Sequence, residues 1–190
     1  MASHSYSLFA TPLGTCGIAW SERGICMLQL PETREVSTRA RVTKRFPHAV
    51  AATPSSAVRS AIDAISALLS GERRDLLEIR LDFAGVPEFH QRVYLAARQV
   101  LPGSTVTYGE LARRIAAPGA ARAVGQALGR NPFAIIVPCH RVLAAGGKLG
   151  GFSANGGTST KVRMLVIEGA LAALSEADRP SQQASLFEHS

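Results

Sequence analysis

The chain has 190 residues, 46% of them hydrophobic, and its 21 lysine and arginine residues outnumber 14 aspartate and glutamate residues for a formal net charge of +7. That length allows one domain or two small ones around a real apolar core, and no apolar run reaches the roughly 18 residues that a membrane helix needs. The N-terminal MASHSYSLFATPLG has neither a basic n-region nor an apolar h-region, so no secretory signal and a cytoplasmic location are expected; three widely spaced cysteines, Cys16, Cys26 and Cys139, then argue against a disulfide framework, and the absence of CxxC or HxxxH spacing argues against a metal site.

Three short strands are expected first, at residues 5–10, 15–21 and 25–30, separated by Pro12-Leu13-Gly14 and Glu22-Arg23-Gly24, which are turn chemistry. Residues 31–54 are polar, basic and bounded by proline, and read as a strand and loops. Val58, Ala61, Ile62, Ile65, Leu68 and Leu69 recur at helical spacing over 57–69, and Ser70-Gly71 stops the run. Ile79, Leu81 and Phe83 alternate as a further strand. Ala84-Gly85-Val86-Pro87 marks a boundary, because the sequence beyond it turns helix-rich: Phe89, Val93, Ala96, Ala97 and Val100 place a helix at 88–100, stopped by Leu101-Pro102-Gly103. Shorter helices at 108–115 and 120–128 flank Ala117-Pro118-Gly119, the pattern of a helix-turn-helix and equally of many packed helix pairs. Ile135-Ile136-Val137 reads as the end of a buried strand, 161–173 as a last helix, and the chain from Ser175 onward as a flexible tail.

The charge is concentrated in one stretch. Between Ser104 and Arg163 stand Arg113, Arg114, Arg122, Arg130, Arg141, Lys148, Lys161 and Arg163 against Glu110 alone, so the whole net charge of the protein lies there. A basic surface of this kind suits a polyanion, since each phosphate it neutralises releases condensed counterions; a merely solvated basic face has the same composition. Within the stretch, Cys139 stands between Pro138 and His140. A cysteine attacks as its thiolate, and an ordinary thiol pKa near ~8.5 leaves little of that form at neutral pH without a neighbouring base or cation. Adjacent side chains on an extended strand point to opposite faces, so His140 reaches Cys139 only through a bend or a bound water, with an acid elsewhere orienting its ring. A buried inert cysteine beside a hydrogen-bonded histidine is the alternative for an isolated pair.

The blocks "TYGELA", "ARAVGQALGRNP", "NPFAIIVPCHRV", "GGFS" and "IEGA", in that order between Pro87 and Ala170, resemble the O6-alkylguanine-DNA alkyltransferase family, whose signature is Pro-Cys-His-Arg-Val. Residues 5–30 resemble it more weakly, through Thr11-Pro12-Leu13-Gly14. The resemblance implies an α+β protein: a small N-terminal ribonuclease-H-like α/β domain over 1–86, a helix-rich C-terminal domain with a winged/helix-turn-helix DNA-binding motif over 87–174, and a tail over 175–190. It implies a single-turnover suicide transferase that moves an alkyl group from O6-alkylguanine in double-stranded DNA to Cys139, with O4-alkylthymine as a second candidate substrate. The catalytic set carried over is Cys139 as acceptor, His140 as base through a water, Glu168 as the acid orienting it, Tyr108 as hydroxyl donor to the departing base, and Asn131 as the residue fixing the turn into the active-site strand. The guanine pocket would be formed by Val142, Gly151, Phe152 and Ser153, with the carbonyls of Cys139 and Val142 accepting the exocyclic amine and the Ser153 N–H facing O6. Many family members have tyrosine where this chain has Phe152, and "SANGGTST" is longer than in short members, so the rim of the pocket departs from the pattern. The nucleotide must leave the stack to be reached; Arg122 would fill its place from a minor-groove helix that also presents Ala121 and Gly125, followed by Arg130. Arg141 is expected to order the site. No cofactor is implied, and the zinc site of some members is not carried over, because only Cys26 falls near a ligand position.

"QASLF" near the C-terminus resembles the peptide by which bacterial DNA-processing proteins dock on the replication sliding clamp, through Gln183, Leu186 and Phe187. The protein is expected to be a monomer with no membrane association. The rival readings are an alkyl-lesion sensor of the same fold, disfavoured because those relatives carry tryptophan in place of the cysteine, a helix-turn-helix regulator signalling through an alkylated cysteine, and a Cys-His hydrolase that would turn over repeatedly.

Overall fold

The computed structural model describes residues 3–170 together with 172, 174 and 176–179. An antiparallel meander opens the chain: β1 (Ser5–Thr11), β2 (Gly14–Ser21) and β3 (Gly24–Gln29). Its first turn is held by Thr11, whose hydroxyl donates to Gly14 O at 2.8 Å and accepts from Leu13 N. Gly24 opens β3 with φ +143, where an added Cβ would meet the Arg80 carbonyl at 2.6 Å. β4 (Val50–Ala51) adds in parallel beside β1, giving the order β3-β2-β1-β4.

Residues 31–54 depart from the expected strand and loops, since they hold helix α1 (Glu35–Arg45) before β4. Only Thr38 and Val42 of α1 are buried, so its apolar stripe is two residues long and offers almost no periodicity to read. Helix α2 (Ser56–Leu69) forms as expected, its N-terminus capped by Ser55 and its inward face made by Val58, Ala61, Ile65, Leu68 and Leu69. The strand expected from Ile79 to Phe83 is reduced to a single bridge between Leu81 and Ile25. Arg98 fixes the irregular path that leads into this segment: its buried guanidinium donates to the carbonyls of Leu76, Leu77 and Ile79, and Leu76 has φ +57.

The second half is helical: α3 (Glu88–Arg98), β5 (Val106–Thr107), α4 (Tyr108–Arg114), α5 (Ala121–Gly129), β6 (Val142–Leu143) parallel to β5, and α6 (Thr158–Ile167). Thr107 and Glu110 form a capping box at the start of α4, and Gly119, at φ +86, makes the turn between α4 and α5. The strand expected at 135–137 is absent. Ile135 sits at φ +69, and tight bonds from Ile136 N to Ala134 O and Val137 N to Phe133 O curl the run into buried turns. Helix α6 begins and ends earlier than expected, stopped by Gly169 at φ +74; Ala173 lies outside the described residues. One core runs through both halves: Ile18, Leu28 and Ile65 belong to the same apolar cluster as Val93, Leu111 and Phe133, and Leu28 N bonds Pro132 O across the junction at 2.8 Å.

Candidate active site

A 3-10 turn, Cys139–Arg141, replaces the predicted strand end, so the alternation that would have separated Cys139 from His140 does not apply. Even so, the two side chains share no hydrogen bond among the described residues. Asn131, two residues past α5, positions the turn: its Nδ2 donates to Val137 O and its Oδ1 accepts from Phe133 N, both at 2.9 Å. Its side chain also lowers the pKa of the Cys139 thiol.

His140 is sealed from solvent. Its Nε2 lies 2.8 Å from Glu168 Oε1, and Arg141 donates to both oxygens of the same carboxylate, Nε to Oε2 and Nη2 to Oε1, each at 2.8 Å. Burial alone would raise the Glu168 carboxyl, but His140 and the Arg141 guanidinium pull it down to about 2. An ionised Glu168 fixes the tautomer: Nε2 carries the proton and Nδ1 keeps its lone pair. Nδ1 is buried and has no partner among the described residues, while burial pushes the ring's pKa down against the pull of Glu168. The His140 ring is therefore held neutral, with Nδ1 as its accepting nitrogen. Arg141 also donates to Val100 O and orders the site, as expected, instead of adding to the basic surface.

Cys139 is half-buried and lines a cavity of about 540 Å³. Tyr108, Gly125, Asn131, Gly151, Phe152 and Ser153 share its wall, joined by Leu28 and Leu30 from the N-terminal half. Tyr108, at the start of α4, is held between two glycines: a Cβ on Gly125 would touch its ring at 3.7 Å, and one on Gly150 would lie 3.4 Å from its hydroxyl. Ser153 Oγ donates to Gly129 O and ties the loop to α5. Val142 is fully buried behind the wall, and its carbonyl already accepts from Lys161 Nζ at 2.7 Å. Ala121, Arg122, Gly125 and Arg130 lie on or at the end of α5, with Arg122 and Arg130 exposed.

Sequence reasoning missed Lys161. It was counted with the basic surface, yet it is fully buried and donates to the carbonyls of Val142 and Leu149. Burial lowers its ammonium to about 8, opposed by attraction to Cys139. Burial likewise raises the Cys139 thiol, against the Asn131 side chain and the charge on Lys161. The signal was present: Lys161, Met164, Leu165 and Glu168 follow helical spacing on one buried face of α6 and its cap. The exposed basic residues of the stretch are then Arg113, Arg114, Arg122, Arg130, Lys148 and Arg163.

The other two cysteines differ in kind. Burial pushes both Cys16 and Cys26 up to about 11, and neither lines this cavity. Among the described residues no group of three or more His, Cys, Asp or Glu side chains is placed to hold a metal ion, and no helix is long and apolar enough to cross a membrane. Gln183, Leu186 and Phe187 lie outside the described residues.

Residues 88–170 match the 6-O-methylguanine DNA methyltransferase DNA-binding domain, and residues 5–83 match the ribonuclease-like domain of the same proteins. A methylated-DNA-protein-cysteine methyltransferase of Mycobacterium tuberculosis is 47% identical over 112 residues, 59% of this chain and 66% of that protein. One of the same description from Methanothermobacter thermautotrophicus is 34% identical over 83% of this chain and 81% of its own length. A crystal structure of the Mycobacterium tuberculosis protein in complex with DNA is similar with a TM-score of 0.68 at 33% identity, over 97% of this chain and 99% of that one. Two family domains matched in order, across nearly the whole described chain, establish that the protein belongs to the 6-O-methylguanine DNA methyltransferase family.

Proposed function

We propose that the protein repairs DNA by transferring the alkyl group of O6-alkylguanine to Cys139, irreversibly and once per molecule. The observation that carries this reading is the placement of the three thiols: Cys139 alone lines the cavity, backed by a buried His140-Glu168 pair whose second ring nitrogen can take a proton. His140 Nδ1 withdraws the thiol proton through a single water, and the Lys161 charge with the Asn131 side chain stabilises the thiolate. The sulfur attacks the alkyl carbon, the S–C bond forms as the C–O6 bond breaks, and the guanine leaves with its charge met by the Tyr108 hydroxyl. The product is a thioether with no route back to the thiol. Burial raises the Tyr108 hydroxyl's pKa, with the Cys139 charge adding to it, so Tyr108 remains a proton donor.

Access to O6 requires the nucleotide to be flipped into the cavity. Exposed Arg122 on α5 fills the gap left in the stack, and the surrounding exposed arginines hold the phosphates; the DNA complex of the Mycobacterium tuberculosis relative supports DNA as the partner. The N-terminal half, 1–86, acts by supporting the wall of the site through β3. Phe152 gives an apolar wall without a hydroxyl, so methyl transfer does not depend on a polar group there.

Incubation with duplex DNA carrying O6-methylguanine should add one methyl group to the peptide containing Cys139 and none to a Cys139→Ser variant, read by intact and peptide mass. Lesion binding without added mass would replace this reading with a sensor. The Gln183, Leu186 and Phe187 motif supports a tether to the sliding clamp: deleting 181–190 should remove clamp binding and leave transfer intact, and retained clamp binding would sink it.

A further inference from the structure

Leu149 joins the tight loop at Ala144–Lys148, closed by Ala144 N donating to Lys148 O, to Gly150–Ser153, three residues of which line the cavity. Its peptide groups are held from both sides. Lys161 Nζ, reaching from α6, donates to Leu149 O at 2.5 Å, and Leu149 N donates to Asp178 Oδ2 at 3.1 Å. The Leu149 side chain packs with Leu143, Leu165, Ala170 and Leu174, so Ala170 and Leu174, beyond α6, pack against the loop that Asp178 bonds. Arg179 braces that segment by donating to the carbonyls of Leu174 and Ala172. The same ammonium of Lys161 also holds Val142 O, so one buried cation joins the chain on both sides of the loop. The next residue, Gly150, has φ +65, a conformation that side chains rarely adopt, and runs alongside the Tyr108 ring and hydroxyl. A displacement of the loop would therefore move the wall that faces the reacting base, where errors of about 1 Å cost rate steeply.

We propose that Asp178 and Lys161 clasp the Leu149 peptide and set the position of the Gly150–Ser153 wall, making the segment after α6 a positioning element for alkyl transfer. The inference rests on the transfer reading for its effect on rate and on the hydrogen bonds alone for its effect on the loop. Asp178 touches no reacting atom and acts through the backbone, while Lys161, whose charge also favours the Cys139 thiolate, holds the same peptide from the other side.

The test compares the full chain with Asp178→Ala and Asp178→Asn, the second keeping an acceptor oxygen. Asp178→Ala should speed amide exchange across residues 144–153 and slow transfer from subsaturating O6-methylguanine duplex by about tenfold. It should leave the reaction of Cys139 with iodoacetamide unchanged, since that reagent needs no ordered base pocket. Asp178→Asn should restore both values to within about twofold. Unchanged exchange over 144–153 overturns the clasp, as does a fall in iodoacetamide reactivity matching the fall in transfer, which would mark general destabilisation. A wild-type protein that fails to transfer while its loop still responds to Asp178→Ala would sink the transfer reading and leave the clasp standing.

Discussion

Asp82 in the N-terminal half and Glu168 in the C-terminal half are both nearly sealed from solvent, and each is surrounded by donors. Asp82 accepts from Ser21 Oγ at 2.6 Å, Ala84 N at 2.9 Å and Arg23 Nε at 3.2 Å, with Cys26 Sγ at 3.7 Å. These donors are a hydroxyl that itself accepts from Arg23 N, a backbone amide, an exposed guanidinium and a buried thiol. The arrangement pins the 82–84 turn to β2 and goes no further. Glu168 accepts from one arginine and one histidine, and the histidine's second nitrogen has no partner among the described residues. The Asp82 carboxylate stabilises a turn; under the proposed function, the Glu168 carboxylate orients a ring whose other nitrogen accepts a proton. The thiols follow the same division. Burial raises all three, but only Cys139 has an amide side chain and a buried cation to offset it.

Breaking the Glu168 cluster should produce the largest effect on stability. Glu168→Gln leaves the buried Arg141 guanidinium without its counter-ion, a loss of about 3–5 kcal/mol, and removes the group that fixes the His140 tautomer, so transfer should fail where folding survives. The pH dependence follows from the direction of the shifts. The folded carboxyl is held at about 2, below its ordinary 4.5, so its contribution is fully present above about 4.5 and is lost as pH falls toward 2. His140, also depressed, acts in the same sense from its ordinary 6.5 downward, because the unfolded chain takes up that proton first. Urea midpoints measured from pH 3 to pH 8 should fall steadily on the acid side for the wild type. Glu168→Gln should start lower and give a flatter profile; parallel profiles would show that the carboxylate does not hold the cluster.

The two clusters were unequally legible in the sequence. β1, β2 and β3 could be read because Thr11-Pro12-Leu13-Gly14 and Glu22-Arg23-Gly24 are turns with a mechanism, and α2 because its apolar face has five buried members. Helix α1 was lost because two inward residues, Thr38 and Val42, leave no period to detect. The run Ile135-Ile136-Val137 was misread because a short buried apolar segment has the same composition in a strand or a turn, and nothing local announces the positive φ of Ile135. At the site, the Pro138-Cys139-His140-Arg141 run could be weighed from residue chemistry, whereas Glu168 stands 28 residues from its histidine and entered only through family resemblance. Lys161 was obscured by counting charge along the chain: a lysine contributes the same +1 to a surface and to a core, and only its register with Met164, Leu165 and Glu168 separates the two.

The Asp82 cluster should give the smaller response, and it can be divided. Asp82→Asn removes the charge that Arg23 faces but keeps an amide able to accept from Ala84 N, so about 1–2 kcal/mol of stability should be lost with no change in transfer rate. Arg23 is itself more than half exposed, where ion pairs are screened, and Arg23→Ala should stay within about 0.5 kcal/mol of the wild type. The pairing of a moderate loss with a near-silent one is the expected signature of a carboxylate that serves the turn through Ser21 and Ala84, not through the arginine. Thermal or urea unfolding of both variants, alongside transfer rates, reads this directly. Equal losses from the two would place the stabilisation in the ion pair, and a drop in transfer from either would mean that the N-terminal cluster reaches the active site through β3 after all.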